Sequence, residues 1–219
     1  MLQSLDHIDI VCIDLDAWEA FAEPLGLVRI KETSNHSTKT AAASRTREYC
    51  GCTPAPKVEV HEARFFELVG FNHLAFGVQN ARRGAEWLSA RGVRIDNVRD
   101  NPDNGKTLVN FRTPDGVRLQ LAEPDPAPPD RVRAGGSAIA GVALTVSSLS
   151  QHRRFLETLG LRFDETDGQL QTRLDGVSLR FREASSTEPV GLEQIELKSG
   201  QGRVRCPTGI RWGTAATGT

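Results

Sequence analysis

Three times along the chain, a run of alternating apolar and polar residues leads into a segment of helical apolar spacing. Leu5-Asp6-His7-Ile8-Asp9-Ile10 precedes Leu15 to Leu25, and Phe71-Asn72-His73-Leu74-Ala75-Phe76 precedes Ala81 to Arg91. Ile139-Ala140-Gly141-Val142-Ala143-Leu144 precedes Leu149 to Leu159. Alternation predicts a strand with one buried face, and i, i+3, i+4 spacing predicts an amphipathic helix. Gly26, Gly92 and Gly160 follow the helical segments, where a left-handed residue would end a helix. Further alternating runs come next. They are Val93 to Ile95, Thr107 to Phe111 and Val117 to Leu121 in the second repeat, and Leu161 to Phe163, Leu170 to Leu174 and Val177 to Phe181 in the third. Thr113-Pro114-Asp115-Gly116, Asp167-Gly168 and Asp175-Gly176 supply the turns between them. The first repeat has a polar middle, Asn35 to Glu48, before alternation returns from Lys57 to Ala63.

The repeating unit is therefore βαβββ, and the expected class is α+β. Residues 1–123 form two paired modules, 1–68 and 69–123, with their strands curved into a cup. Residues 124–137 carry four prolines and a glycine pair, which predicts a semi-rigid linker. A degenerate third module spans 138–198, and Gly191 to Leu197 begins a fourth. Residues 199–219 lack an apolar period and are expected to be a loose tail. With no complete partner in the chain, the third module leaves strand edges that predict a homodimer about a twofold axis.

Composition narrows the function classes. The 219 residues carry 27 Lys+Arg against 28 Asp+Glu, a net charge of −1, so nothing favours nucleic acid or an anionic membrane as partner. No apolar run is long enough to span a bilayer, and the first residues lack a basic and apolar leader pattern. The expected setting is cytoplasmic. Cys12, Cys50, Cys52 and Cys206 match neither a disulfide framework nor a zinc knuckle.

Strand alternation then assigns faces. Ile8 and Ile10 point one way in the first opening strand, His7 and Asp9 the other; Leu74 and Phe76 oppose His73 and Ala75. The closing run Lys57-Val58-Glu59-Val60-His61-Glu62 aligns without a gap on Arg118-Leu119-Gln120-Leu121-Ala122-Glu123. Glu59 and Gln120 thus share the histidine face in equivalent modules. Two imidazoles, a carboxylate and an amide oxygen would suit one divalent metal (Fe, Ni, Co, Zn or Mn) at a site left open for substrate.

LDHIDIV, FNHLAFGV, the helix stop LGL and the TPDGVRLQLAEP run resemble the vicinal oxygen chelate superfamily of glyoxalases, extradiol dioxygenases and bleomycin-resistance proteins. The resemblance covers residues 1–123. It implies that the four metal ligands are His7, Glu59, His73 and Gln120, with Gln120 standing where many members carry Glu. It implies a small oxygen-chelating substrate, and either isomerase or lyase chemistry through a stabilised enolate or extradiol-type dioxygenation. The rival expectation is a non-enzymatic protein that sequesters a small molecule or antibiotic. Such relatives typically lack the histidines, so His7 and His73 favour the enzyme.

Other residues carry weaker signals. Asp9 reads as a general base, a substrate hydrogen-bond partner or a wetted strand residue; His61 reads as an acid/base or a support for Glu59. The stretch Ser34 to Thr40, with Arg45 and Arg47, could hold an anion or be a solvated surface. In the third module, Gly141 and Arg180 occupy the histidine and carboxylate positions, and Gln194 that of a fourth module's histidine. That half is expected to be structural.

Overall fold

The computed structural model describes residues 2–36, 43–50, 56–63, 67–101, 105–123, 139–198, 204–206 and 208–214. The βαβββ unit recurs as expected. Module one contains β1 (Ser4–Cys12), α1 (Leu15–Ala22), β2 (Val28–His36), β3 (Ala43–Cys50) and β4 (Lys57–Glu62). Module two contains β5 (Gly70–Gly77), α2 (Ala81–Ser89), β6 (Ile95–Asp100), β7 (Thr107–Arg112) and β8 (Arg118–Ala122). Module three contains β9 (Ile139–Val146), α3 (Leu149–Thr158), β10 (Asp164–Thr166), β11 (Gln169–Leu174) and β12 (Val177–Glu183). Then come β13 (Gly191–Leu197), β14 (Val204–Arg205) and β15 (Arg211–Thr214). The expected linker, residues 124–137, lies outside the described residues.

Each helix starts and stops by the same chemistry. Asp14, Asn80 and Ser148 cap the N-termini, accepting backbone N–H groups of the first turn through their side chains. Gly26, Gly92 and Gly160 take positive φ values of 76°, 81° and 78° at the other end. The next residues, Leu27, Val93 and Leu161, return their N–H groups to Ala22, Leu88 and Leu156 at 3.1–3.2 Å and bury their side chains. That closes the helix as a Schellman motif. It also corrects two strand expectations: Val93 and Leu161 are hydrophobic helix stoppers, and the strands begin later, at Ile95 and Asp164.

The chain divides into two compact units. The first comprises Met1–Asp6, His73–Pro126 and Val142–Glu193. Its strands run in the orders β5-β8-β7-β6 and β10-β11-β12-β9. Here module three is tied to module two. Asp115, in the β7–β8 turn, accepts the Ser147 N–H at 2.8 Å and the Ser147 hydroxyl. A side chain at Gly160 would stand 3.5 Å from the Trp87 ring. The third module therefore has packing partners within its own chain.

The second unit comprises His7–Asn72, Ala127–Gly141 and Gln194–Thr219. Its strands run in the orders β2-β3-β4-β1 and β13-β15-β14. Trp18 of α1 packs on Tyr49 at 4.6 Å and on Trp212 of β15 at 6.2 Å between ring centroids, with Phe21 5.8 Å from Trp212. The expected loose tail is corrected here. β15 pairs parallel with β13 and antiparallel with β14, and Trp212 is fully buried. A four-residue strand held by one tryptophan and backbone pairing has no apolar period for sequence reading to detect. Cys12, Cys50 and Cys206 are buried; Cys12 and Cys206 are free thiols, and burial pushes the Cys12 thiol up to about 12, well away from reactive thiolate. Cys52 lies outside the described residues. Among the described residues, no helix is long and apolar enough to cross a membrane.

Candidate metal centre

In module one, β1 runs parallel to β4 with Ile8 opposite Val58 and Ile10 opposite Val60, all four fully buried on the helix side. The opposite face carries His7, Asp9, Lys57, Glu59 and His61, with Asp9 opposite Glu59. His7 is 4% exposed, and its Nε2 stands 3.7 Å from Glu59 Oε2. Burial raises the Glu59 pKa above the ordinary carboxylate value; His7 and Lys57 oppose the shift, Asp9 and Glu48 add to it. Glu48, the register partner of Glu59 on β3, is gripped by Lys57 at 2.9 Å and Lys31 at 3.1 Å. Asp9 Oδ1 accepts from Asn72 Nδ2 at 2.9 Å and lies 3.3 Å from His61 Nδ1. His61 Nε2 lies 3.4 Å from Glu67 Oε2, so the imidazole is bracketed by two carboxylates.

Module two repeats the register with different chemistry. β5 runs parallel to β8, with Ala75 opposite Gln120 as Asp9 is opposite Glu59. His73 and Gln120 are 6% and 3% exposed. Gln120 Nε2 donates to Asn110 Oδ1 at 3.2 Å, and Asn110 Nδ2 donates to Asn97 Oδ1 at 2.7 Å. These partners sit directly across β8, β7 and β6 from one another.

The model of the Glyoxalase/Bleomycin resistance protein/Dioxygenase superfamily matches residues 4–121. The chain belongs to this superfamily. The uncharacterized protein YwkD of Bacillus subtilis (strain 168) is 28% identical over 130 residues, covering 56% of this chain and 98% of that protein. Among solved structures, the Mn(II)-bound glyoxalase from Novosphingobium aromaticivorans is 16% identical. It covers 97% of this chain and 81% of its own at a TM-score of 0.70. Homoprotocatechuate 2,3-dioxygenase from Arthrobacter globiformis is 13% identical, covering 98% and 80% at 0.72. At these identities the structural likeness speaks for the superfamily fold.

The Novosphingobium glyoxalase is Mn(II)-bound, and the donors here suit a divalent ion chemically. His7 and Glu59 supply a nitrogen and a charged oxygen side by side in one unit; His73 and Gln120 supply a nitrogen and a neutral oxygen on paired strands of the other. Among the described residues, no group of three or more His, Cys, Asp or Glu stands ready as a metal cluster. The fit therefore rests on the two pairs.

One reading of the surroundings changes. Arg45 and Arg47 do not face an open anion site. Arg45 binds Glu62 at 3.1 Å, and buried Arg47 is held by Asp16 at 2.7 Å, Glu19 at 2.8 Å and Glu32 at 3.1 Å. Residues 37–40 of the associated polar stretch lie outside the described residues. Sequence reading also passed over Asn72, Lys57, Glu48, Asn110 and Asn97. All but Asn72 lie on the same strand faces as the candidate ligands, so extending the alternation one or two strands outward would have found them. In module three, Arg180 lies opposite Gln171 as Glu59 lies opposite Glu48. A guanidinium there donates no lone pair to a metal.

Proposed function

We propose that this chain is a metal-dependent enzyme acting on a small substrate with two neighbouring oxygens. His7, Glu59, His73 and Gln120 are its donors to one divalent ion (Fe, Ni, Co, Zn or Mn). The observation that carries this reading is the repeated register, with a histidine two residues before the partner of Glu59 in one module and of Gln120 in the other. The His7–Glu59 separation of 3.7 Å is near the roughly 3 Å between two ligands bonded at about 2.1 Å to one ion. When bound, the ion supplies Lewis-acid activation of a substrate oxygen. The chain's own part is to orient and to move a proton. Asp9 Oδ1, steadied by Asn72 and His61, accepts a proton from substrate carbon, and His61, backed by Glu67, shares that proton. This is isomerase or lyase chemistry. Extradiol-type dioxygenation is the second reading, favoured by the two histidines and one carboxylate in the set, a combination suited to Fe(II).

Metal analysis of protein purified without chelator tests the proposal, followed by reconstitution with Fe(II), Ni(II), Co(II), Zn(II) and Mn(II). One ion per chain is expected. Failure of all five to bind stoichiometrically would leave a sequestering protein in its place. Oxygen consumption with catecholic substrates, restored by Fe(II) alone, would select dioxygenation over proton transfer.

A further inference from the structure

We infer that Asn110 is a positioning residue that aims the carbonyl oxygen of Gln120, a role that rests on the metal-site reading above. An amide side chain presents a donor and an acceptor of nearly equal size, so an unrestrained glutamine offers a cation the wrong atom about as readily as the right one. Gln120 is restrained. Its NH2 group is spent on Asn110 Oδ1 at 3.2 Å, which leaves Oε1 turned away from β7. Asn110 is itself restrained, because its NH2 group is spent on Asn97 Oδ1 at 2.7 Å. Every amide in the row donates outward, from β8 to β7 to β6. Turning one member alone would set oxygen against oxygen and N–H against N–H, and Gln120 and Asn110 are both buried, where such a mismatch costs most. The row therefore turns only as a whole, and the sense seen in the structure leaves an oxygen on Gln120 for a cation. In this sense of the row a glutamate at 120 would set a carboxylate oxygen against Asn110 Oδ1, so the row as it stands favours the amide over the carboxylate at this position.

Co(II) affinity of the full chain, measured by competition with a chromophoric chelator, provides the test. Asn110→Ala is expected to weaken Co(II) binding on the order of 10-fold, as loss of an orienting partner does. Asn110→Asp, which still accepts from Gln120 Nε2, should recover most of that loss. In a Gln120→Ala background, Asn110→Ala should add nothing, since there is no oxygen left to aim. Asn110→Ser carries the same expectation as Asn110→Ala should the alanine variant fail to fold. Wild-type Co(II) affinity in the folded alanine or serine variant would overturn the positioning role and leave the metal site standing. Equal losses with and without Gln120 would do the same, marking Asn110 as structural support only. A wild-type chain that binds no Co(II) would overturn the site and the positioning role together.

Discussion

Module one runs a charged row across its strands: Asp9 on β1, Glu59 on β4, Glu48 on β3 and Lys31 on β2. Module two runs the equivalent row through Ala75 on β5, Gln120 on β8, Asn110 on β7 and Asn97 on β6, with no formal charge in it. Even the irregularity repeats, since the register slips between Arg29 and Lys31 in one module and between Ile95 and Asn97 in the other. One backbone frame thus carries two electrostatic solutions. The charged row balances carboxylates against Lys31 and Lys57; the neutral row relies on the direction of its hydrogen bonds. A carboxylate attracts a divalent cation from any angle, whereas an amide must be aimed. The two halves of the proposed site therefore differ in strength and in what they need from their neighbours.

The largest expected effect lies at the histidines, which stand two residues before Asp9 in one row and Ala75 in the other. His7→Ala and His73→Ala are each expected to lower metal affinity by at least about 100-fold, beyond the loss of an outer orienting group. Their apolar faces are untouched, so circular dichroism melts should stay close to wild type. Full metal content at low free metal in either variant would remove that histidine from the set.

A smaller effect separates the charged from the neutral row. Glu59→Gln should cost more metal affinity than Gln120→Ala, because it removes a formal charge and not a dipole. Gln120→Glu in the wild-type row should tighten binding less than the added charge alone would suggest, because Asn110 opposes it. Combining Gln120→Glu with Asn110→Ala should release that restraint. Calorimetric titration of the variants with Co(II) ranks them, and equal losses from Glu59→Gln and Gln120→Ala would contradict the contrast.

Smaller still is the support behind the charged row. Glu48→Gln leaves Lys31 and Lys57 without their shared carboxylate while relieving Glu59 of a neighbouring negative charge. These opposed effects should change metal affinity by no more than about threefold, the scale of a partly exposed ion pair. The change should shrink further in high salt. A tenfold change would show that the row is more tightly coupled than its pairwise contacts indicate.

The smallest expected effect lies in module three, away from both rows. Arg182 and Ser185 hold Glu188 down at about 2, below its ordinary 4.5. A depressed carboxylate contributes stability that is complete above its unfolded value and fades as pH falls through the folded one. Melts between pH 5 and pH 2 should therefore show a slope that Glu188→Gln removes, while melts at neutral pH barely differ. The group is exposed, so the slope will be shallow.

Much of this molecule was legible in advance. Alternation located β1, β4, β5 and β8 and put His7, Glu59, His73 and Gln120 on the faces opposite the apolar core, because a side chain's face in a strand is decided by parity alone. The glycines after the helices were legible because a left-handed exit is a local requirement. Local pattern misled at Val93 and Leu161, where an apolar residue served the helix end and not a strand. It was silent at β15, where the stabilising contact of Trp212 is with Trp18 and Phe21 from the other end of the chain.

The repeat, its faces and the residue types on them are all properties of neighbours along the chain, and the amino-acid order alone sets them. How each of those residues is held depends on contacts made only in the folded chain. Arg47 is gripped by three carboxylates from α1 and β2, and module three is tied to module two through Asp115. Gln120 is turned by Asn110 on the adjoining strand. Such contacts join residues distant in sequence, and whether a charge is matched or an amide aimed depends on which partner arrives, not on the residue's own neighbours.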